Sequence, residues 1–193
     1  MKQRMAIHSN LETTKVSSSL AMTIVLISWG MLFATLFLMY VIYRSSNPVW
    51  PPMGMERISL FVPTISLALM LISSLTFEIA KNAFKNNLPK KCKIYWWATF
   101  ILGLGFLFFQ TMLWKIFHGA DLYASSGIFP SILHAFTWIH FVHMVLGVMG
   151  LMFLFPLLKK SHENGLMRFE NVGKFWHFLG IIWLIMFVIL FLI

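Results

Sequence analysis

Charge is what this sequence has least of. Asp, Glu, Lys and Arg make up 11% of its 193 residues, against about 25% in soluble globular chains. Charged groups are too scarce to clothe a water-facing surface. Acidic residues are the scarcer kind, six against 15 Lys and Arg, and one of the six, Glu78, falls inside an apolar stretch. No pair of carboxylates is placed for acid–base work, no nucleophile–base pair is visible and no Gly-rich phosphate loop appears. Cysteine is reduced to Cys92, set among lysines, so no disulfide framework, CxxC zinc site or iron–sulfur cluster can be assembled.

What is present is apolar. Hydrophobic residues account for 59% of the chain and its mean hydropathy is +0.80. Disorder is excluded by the same numbers, and lipid is the natural solvent. A bilayer core takes about 20 apolar residues per helix. Five stretches satisfy that requirement: residues 20–43, 58–80, 94–117, 128–158 and 172–193. The expected fold is therefore all-α, a polytopic bundle of five transmembrane helices. A tail (1–18) precedes a single membrane domain (19–193), with no room for a soluble catalytic domain. The first stretch follows Lys2, Arg4 and Lys15 as a signal peptide would. Its apolar run exceeds the ~7–15 residues of such a segment, and no small-residue cleavage site follows, so it reads as a retained helix.

The net charge of +9 acquires a meaning once the loops are assigned. Lys2, Arg4 and Lys15 precede the first helix. Lys81, Lys85, Lys90, Lys91 and Lys93 lie between the second and third. Lys159, Lys160, Arg168 and Lys174 lie between the fourth and fifth. The other side holds Arg44, Arg57 and Lys115. Twelve cations against three predict a cytoplasmic N-terminus and a periplasmic C-terminus. Trp50 and Trp114 fall near outer helix ends and Trp96 and Trp97 near an inner one, as in an interfacial aromatic belt. Ser125 and Ser126 suit a helix cap ahead of Pro130, and Pro63 lies one turn into its helix, where few backbone bonds are lost.

Polar side chains in lipid are costly, so they are the candidates for function. His140 and His143 share one face of the fourth helix, His134 precedes them by about two turns, and His177 opens the fifth. Paired histidines from different helices could hold a haem. His177, however, enters from the cytoplasmic side and the fourth-helix pair lies at mid-depth, while zinc would lack further ligands. Interhelical packing is the favoured role. Glu78 near the cytoplasmic interface is expected to pair with Lys81. Gln110 needs a partner if buried, and Trp176 and Trp183, seven apart, form a packing stripe beside Gly180. These residues leave a structural subunit, a transporter and a b-type cytochrome open. A transporter would be expected to show inverted repeats or broken helices, and neither is found.

Three segments, in order, resemble subunit III of the haem–copper oxidases. Trp50-Pro51-Pro52-Met53-Gly54, followed by Val62-Pro63 and Ser73-Ser74, looks like that family's W-P-P-x-G loop and the helix after it. His140-Phe141-Val142-His143 with Gly147 is similar to H-x-x-H-V-x-x-G. Phe175-Trp176-His177-Phe178-Leu179-Gly180-Ile181-Ile182-Trp183 is similar to Y-W-H-F-V-D-V-V-W. The resemblance spans roughly residues 20–193 and matches the short, five-helix bacterial form.

It implies a non-catalytic subunit of a terminal respiratory oxidase in the bacterial inner membrane. The complex reduces oxygen to water and pumps protons. Haem and copper sit in partner subunits, with none in this chain. The implied partners are subunit I by direct packing, subunit II and phospholipid held between helices, and the implied role is support of proton uptake and stability. His140, His143, His177, Gln110, Glu78, Trp176 and Trp183 become packing residues, and Trp50, Pro51, Pro52 and Gly54 a motif loop. Three positions depart from the family's pattern: Phe61, Leu113 and Gly180 stand where relatives carry acidic residues. A nitric oxide reductase accessory subunit, or a b-type or quinol-oxidising protein using His140, His143 and His177, is the alternative.

Overall fold

The computed structural model describes the backbone of residues 2–47, 59–159 and 163–192, with side chains described in these spans except 2–12, 14–15, 159 and 163–164. The motif loop Trp50, Pro51, Pro52 and Gly54 lies outside them. Helices α1 (Lys2–Ser45), α2 (Phe61–Lys85), α3 (Pro89–Gly119), α4 (Ile128–Leu154) and α5 (Glu163–Phe187) carry the chain, and no strand occurs among the described residues. All five contain a span long and apolar enough to cross a membrane.

The helices outrun the apolar stretches. The polar run ahead of residue 20 is helical from Lys2, so α1 has 44 residues, about 66 Å at 1.5 Å per residue, roughly twice a hydrocarbon core. The fifth helix starts at Glu163, nine residues before its apolar stretch. Backbone hydrogen bonding continues a helix through polar residues outside lipid, where hydropathy gives no signal. The fourth stretch ends in a tighter 3₁₀ turn at Phe155–Lys159, because Pro156 has no N–H to continue the α-helical ladder.

The two hairpin turns share one device. Asn87 and Asp121 adopt left-handed φ angles of 55° and 54°. Past α2, the Leu88 N–H donates to Ala83 O (2.9 Å) and the Asn87 N–H to Phe84 O (3.1 Å). Past α3, Leu122 donates to Phe117 O (2.9 Å) and Asp121 to His118 O (3.2 Å). These paired bonds satisfy the last carbonyls of each helix in a Schellman arrangement. Leu122 and Phe117 are both buried, supplying its apolar contact, and Pro89 then opens α3, where its missing N–H costs nothing. The start of α4 departs from expectation. Gly127 occupies the cap position with φ 149° and no side-chain bond. Ser131 instead donates back to Ala124 O (2.5 Å) and Gly127 O (2.7 Å), so Ser125 and Ser126 are not the cap.

Helices α2, α3, α4 and α5 form a closed ring, each packed on its two neighbours, and α1 lies outside against α5. The ring is zipped by a regular seam. The buried positions of α3 are Cys92, Trp96, Thr99, Gly103, Phe106, Gln110, Leu113 and Phe117, an alternation of four and three. On α2 the same spacing joins Ser66, Met70, Ser73, Phe77, Ala80 and Phe84. That period keeps one face toward the partner, as in coiled-coil packing. Between these two seams the hydroxyls of Thr76 and Thr99 hydrogen-bond at 2.8 Å.

Candidate functional site

The centre of the ring is built on Trp176. Its indole N–H donates to the Ser73 hydroxyl of α2 at 3.1 Å, and its ring is fully buried. The ring fits because two helices offer glycine: a Cβ on Gly103 would come within 2.8 Å of it, and one on Gly147 within 3.2 Å of it and 2.8 Å of Leu179. Two further glycines of α5 admit α2 in the same way, Gly173 against Phe77 (2.7 Å) and Gly165 against Phe84 (2.8 Å). Gly180 behaves differently. A Cβ there would meet Ser74 Oγ at 3.4 Å, an ordinary contact, so the close approaches are those at Gly103, Gly147, Gly165 and Gly173.

One register further along α5, the Trp183 indole stacks on the His140 imidazole (centroids 5.3 Å apart, 24° between planes). Phe106 meets both edge-on, at 5.7 Å from His140 and 5.1 Å from Trp183. His140, Trp183 and Gln110 are each fully buried. Gln110 Nε2 and Oε1, His140 Nδ1 and Nε2, and Trp183 Nε1 have no hydrogen-bond partner.

The other three candidate histidines, His134, His143 and His177, each have a polar partner. His143 Nδ1 lies 2.7 Å from the Ile139 carbonyl; a carbonyl only accepts, so that nitrogen carries the proton. Its ring meets Trp29 edge-on at 4.7 Å, which ties α1 to α4. His134 Nδ1 is held by Pro130 O at 2.9 Å. His177 Nε2 lies 3.5 Å from the Glu78 carboxylate, which also binds Lys81 at 2.7 Å. The structure thus brings His177 to Glu78, joining α5 to α2, and His140 to Trp183. It does not bring His177 to His140 or His143, as a haem pocket would require. Among the described residues no three His, Cys, Asp or Glu side chains gather in a metal-binding group.

Trp96 was expected at the interface and is instead core. It is 2% exposed and donates to Leu151 O at 3.1 Å; Trp97 beside it is 40% exposed. The four–three spacing from Cys92 to Phe117 is the signal that separates them, since it includes position 96 and skips 97. Trp114 is half-buried, stacked on Trp138 at 4.2 Å and donating to Thr137 Oγ1 at 3.0 Å. Of the positions without the family's carboxylates, Phe61 is exposed at the head of α2, and Leu113 is buried on the α3 seam.

The interior therefore offers interlocked aromatic and hydrogen-bonding groups. The family model described as "Cytochrome c oxidase subunit III" matches residues 4–193. The cytochrome c oxidase subunit 3 of a Synechocystis species is 25% identical over 174 residues, covering 87% of this chain and 72% of the relative. That of Thermostichus vulcanus is 26% identical over 177 residues, 90% of this chain and 86% of the relative. That of Alkalihalophilus pseudofirmus is 29% identical over 169 residues, 83% and 79%. With a match running over nearly its whole length onto a five-span helix bundle, the chain belongs to the cytochrome c oxidase subunit III family.

Proposed function

We propose that this chain serves a terminal haem–copper oxidase as its non-catalytic subunit III, packed on subunit I beside subunit II in a bacterial inner membrane. The observation that carries the reading is the family match over residues 4–193 on a ring that buries Ser73, Thr99, Gln110, Thr137 and His140. His140, His143, His177, Gln110, Glu78, Trp176 and Trp183 act in it as packing residues. Haem and copper, and with them oxygen reduction, belong to the partner subunits. The 12-to-3 cation asymmetry supports a cytoplasmic N-terminus, a 1–18 tail on that side and a periplasmic C-terminus.

Lipid is the second partner. A groove of about 280 Å³ between α1 and α5 has an apolar floor including Met22, Val25, Trp29 and Phe175. Asn171 and Ser18 form its polar part, Asn171 donating to Ser18 (2.9 Å), and next to them in the chain the Lys174 ammonium donates to Ser19 (2.7 Å). An apolar floor with a lysine close by suits an acyl chain and an anionic headgroup. Affinity purification of the native complex under mild detergent tests the main reading. A haem–copper subunit I is expected in stoichiometric amount, and a complex without one overturns it. Lipid extraction from the same preparation, with Lys174→Gln for comparison, is expected to show less bound anionic phospholipid in the variant.

A further inference from the structure

We propose that Gln110, His140 and Trp183 form a buried hydration site, binding water where α3, α4 and α5 meet inside the ring. The three side chains come from three helices and lie at one depth. Trp114 donating to Thr137, and Trp96 to Leu151, fix the antiparallel register of α3 and α4. In that register Gln110 falls beside His140. Phe106, one helical turn before Gln110, touches both His140 and Trp183. All three polar side chains are fully buried, and five of their polar atoms have no partner.

Trp183 and His140 cannot satisfy each other. The Trp183 N–H and the His140 ring nitrogens point within their own ring planes, and those planes are stacked 24° apart. A donor in one plane cannot reach a lone pair in a parallel plane beneath it. Trp183 and His140 must therefore find a third party. The aromatic walls, Phe106 and Phe33, offer no acceptor. Gln110 brings two donors and a carbonyl, Trp183 one donor, and a neutral imidazole one donor and one acceptor. Water, which both donates and accepts, is the one small species that matches donors and acceptors mixed in this way. An indole N–H cannot bind a metal ion, and a single imidazole with an amide makes a poor ligand set. Buried polar groups in native interiors are almost always satisfied, and internal water commonly closes such gaps. Trp176, two turns away on the same helix and equally buried, differs in one respect: its N–H is satisfied by Ser73.

That contrast supplies the test. Millisecond X-ray radiolysis makes hydroxyl radicals from bound water in place, so it labels side chains next to internal water even where lipid seals the surface. On the full-length protein purified in its native complex, Trp183 is expected to be labelled at least about fivefold faster than Trp176, as internal water near one and not the other requires. Gln110→Leu is expected to bring the two rates together. Equal labelling of the two tryptophans in the unmodified protein overturns the proposal. A high-resolution map of the unmodified complex provides a readout without any variant. Density within hydrogen-bond distance of at least two of the three side chains supports the site. A direct Gln110–His140 hydrogen bond with nothing between the helices overturns it.

Discussion

The membrane-spanning part of α1 (Val16–Ser45) and the span that holds α4 (Ile128–Leu158) have the same mean hydropathy, 2.2, yet they occupy opposite environments. Among the described side chains of α1, only Phe33 and Tyr40 are buried, and Leu20, Ile24, Ile27, Met31 and Leu38 are exposed. On α4 the buried set runs from Phe129 to Leu154 and includes His134, Thr137, His140, His143 and Gly147. Apolarity takes both helices into lipid, but lipid tails are as apolar as leucine and drive no helix against another. What α4 has and α1 lacks is a glycine where a neighbour must come close: a Cβ on Gly147 would meet Leu179 at 2.8 Å, one on Gly30 of α1 nothing nearer than 3.9 Å. The hydroxyls of α1 at Thr23, Ser28 and Thr35 donate to its own carbonyls, and it is Ser18 and Ser19 that hydrogen-bond α5.

The largest effect expected from breaking this contrast is at the ring's centre. Trp176→Ala removes the side chain that fills the space between Gly103, Gly147 and Ser73. It is expected to destabilise the protein by about 3–5 kcal/mol, the usual range for a buried large aromatic, read as a lowered thermal midpoint of the purified complex. Next is overpacking. Gly147→Val forces branched atoms into Leu179 and Trp176 and is expected to cost about 1–3 kcal/mol. Gly180→Ala is its control and should stay within about 0.5 kcal/mol, since its Cβ meets only ordinary contacts. If the two glycine variants melt alike, close approach is not what assembles the ring.

Smaller effects are expected toward the periphery. Glu78→Gln removes the carboxylate shared by Lys81 and His177. That carboxylate is 41% exposed, so the loss is expected at about 0.2–1 kcal/mol, as for surface ion pairs, and to shrink as salt is raised. The smallest change belongs to α1. Ile27→Ala, at a position 58% exposed, should leave the thermal midpoint of the isolated chain unchanged within about 0.5 kcal/mol. A drop in the assembled complex alone would sharpen the comparison, identifying that face of α1 as one a partner subunit covers.

Much of the architecture was legible in the sequence. The five spans are, and so is the Glu78–Lys81 pair, three residues apart on one helix. The seam of α3 was legible in principle, in the four–three spacing from Cys92 to Phe117, but the adjacent Trp96 and Trp97 look alike until a partner helix distinguishes them. The caps misled for a local reason. Ser125 and Ser126 have the right chemistry one step too early, and Gly127 takes the extended turn into α4.

By itself, then, the sequence determined how many times the chain enters lipid and to which family it belongs. Length, apolarity and motif order are one-dimensional properties and need no neighbour to be read. Tertiary structure decided which polar and aromatic groups meet. Trp176 finds Ser73 about a hundred residues away, His177 finds Glu78, and His140 is stacked on Trp183, both fully buried. Such meetings depend on the rotation and register of each helix against the next. Those are fixed by a handful of glycines and by the fit of large rings between them, not by how apolar each segment is.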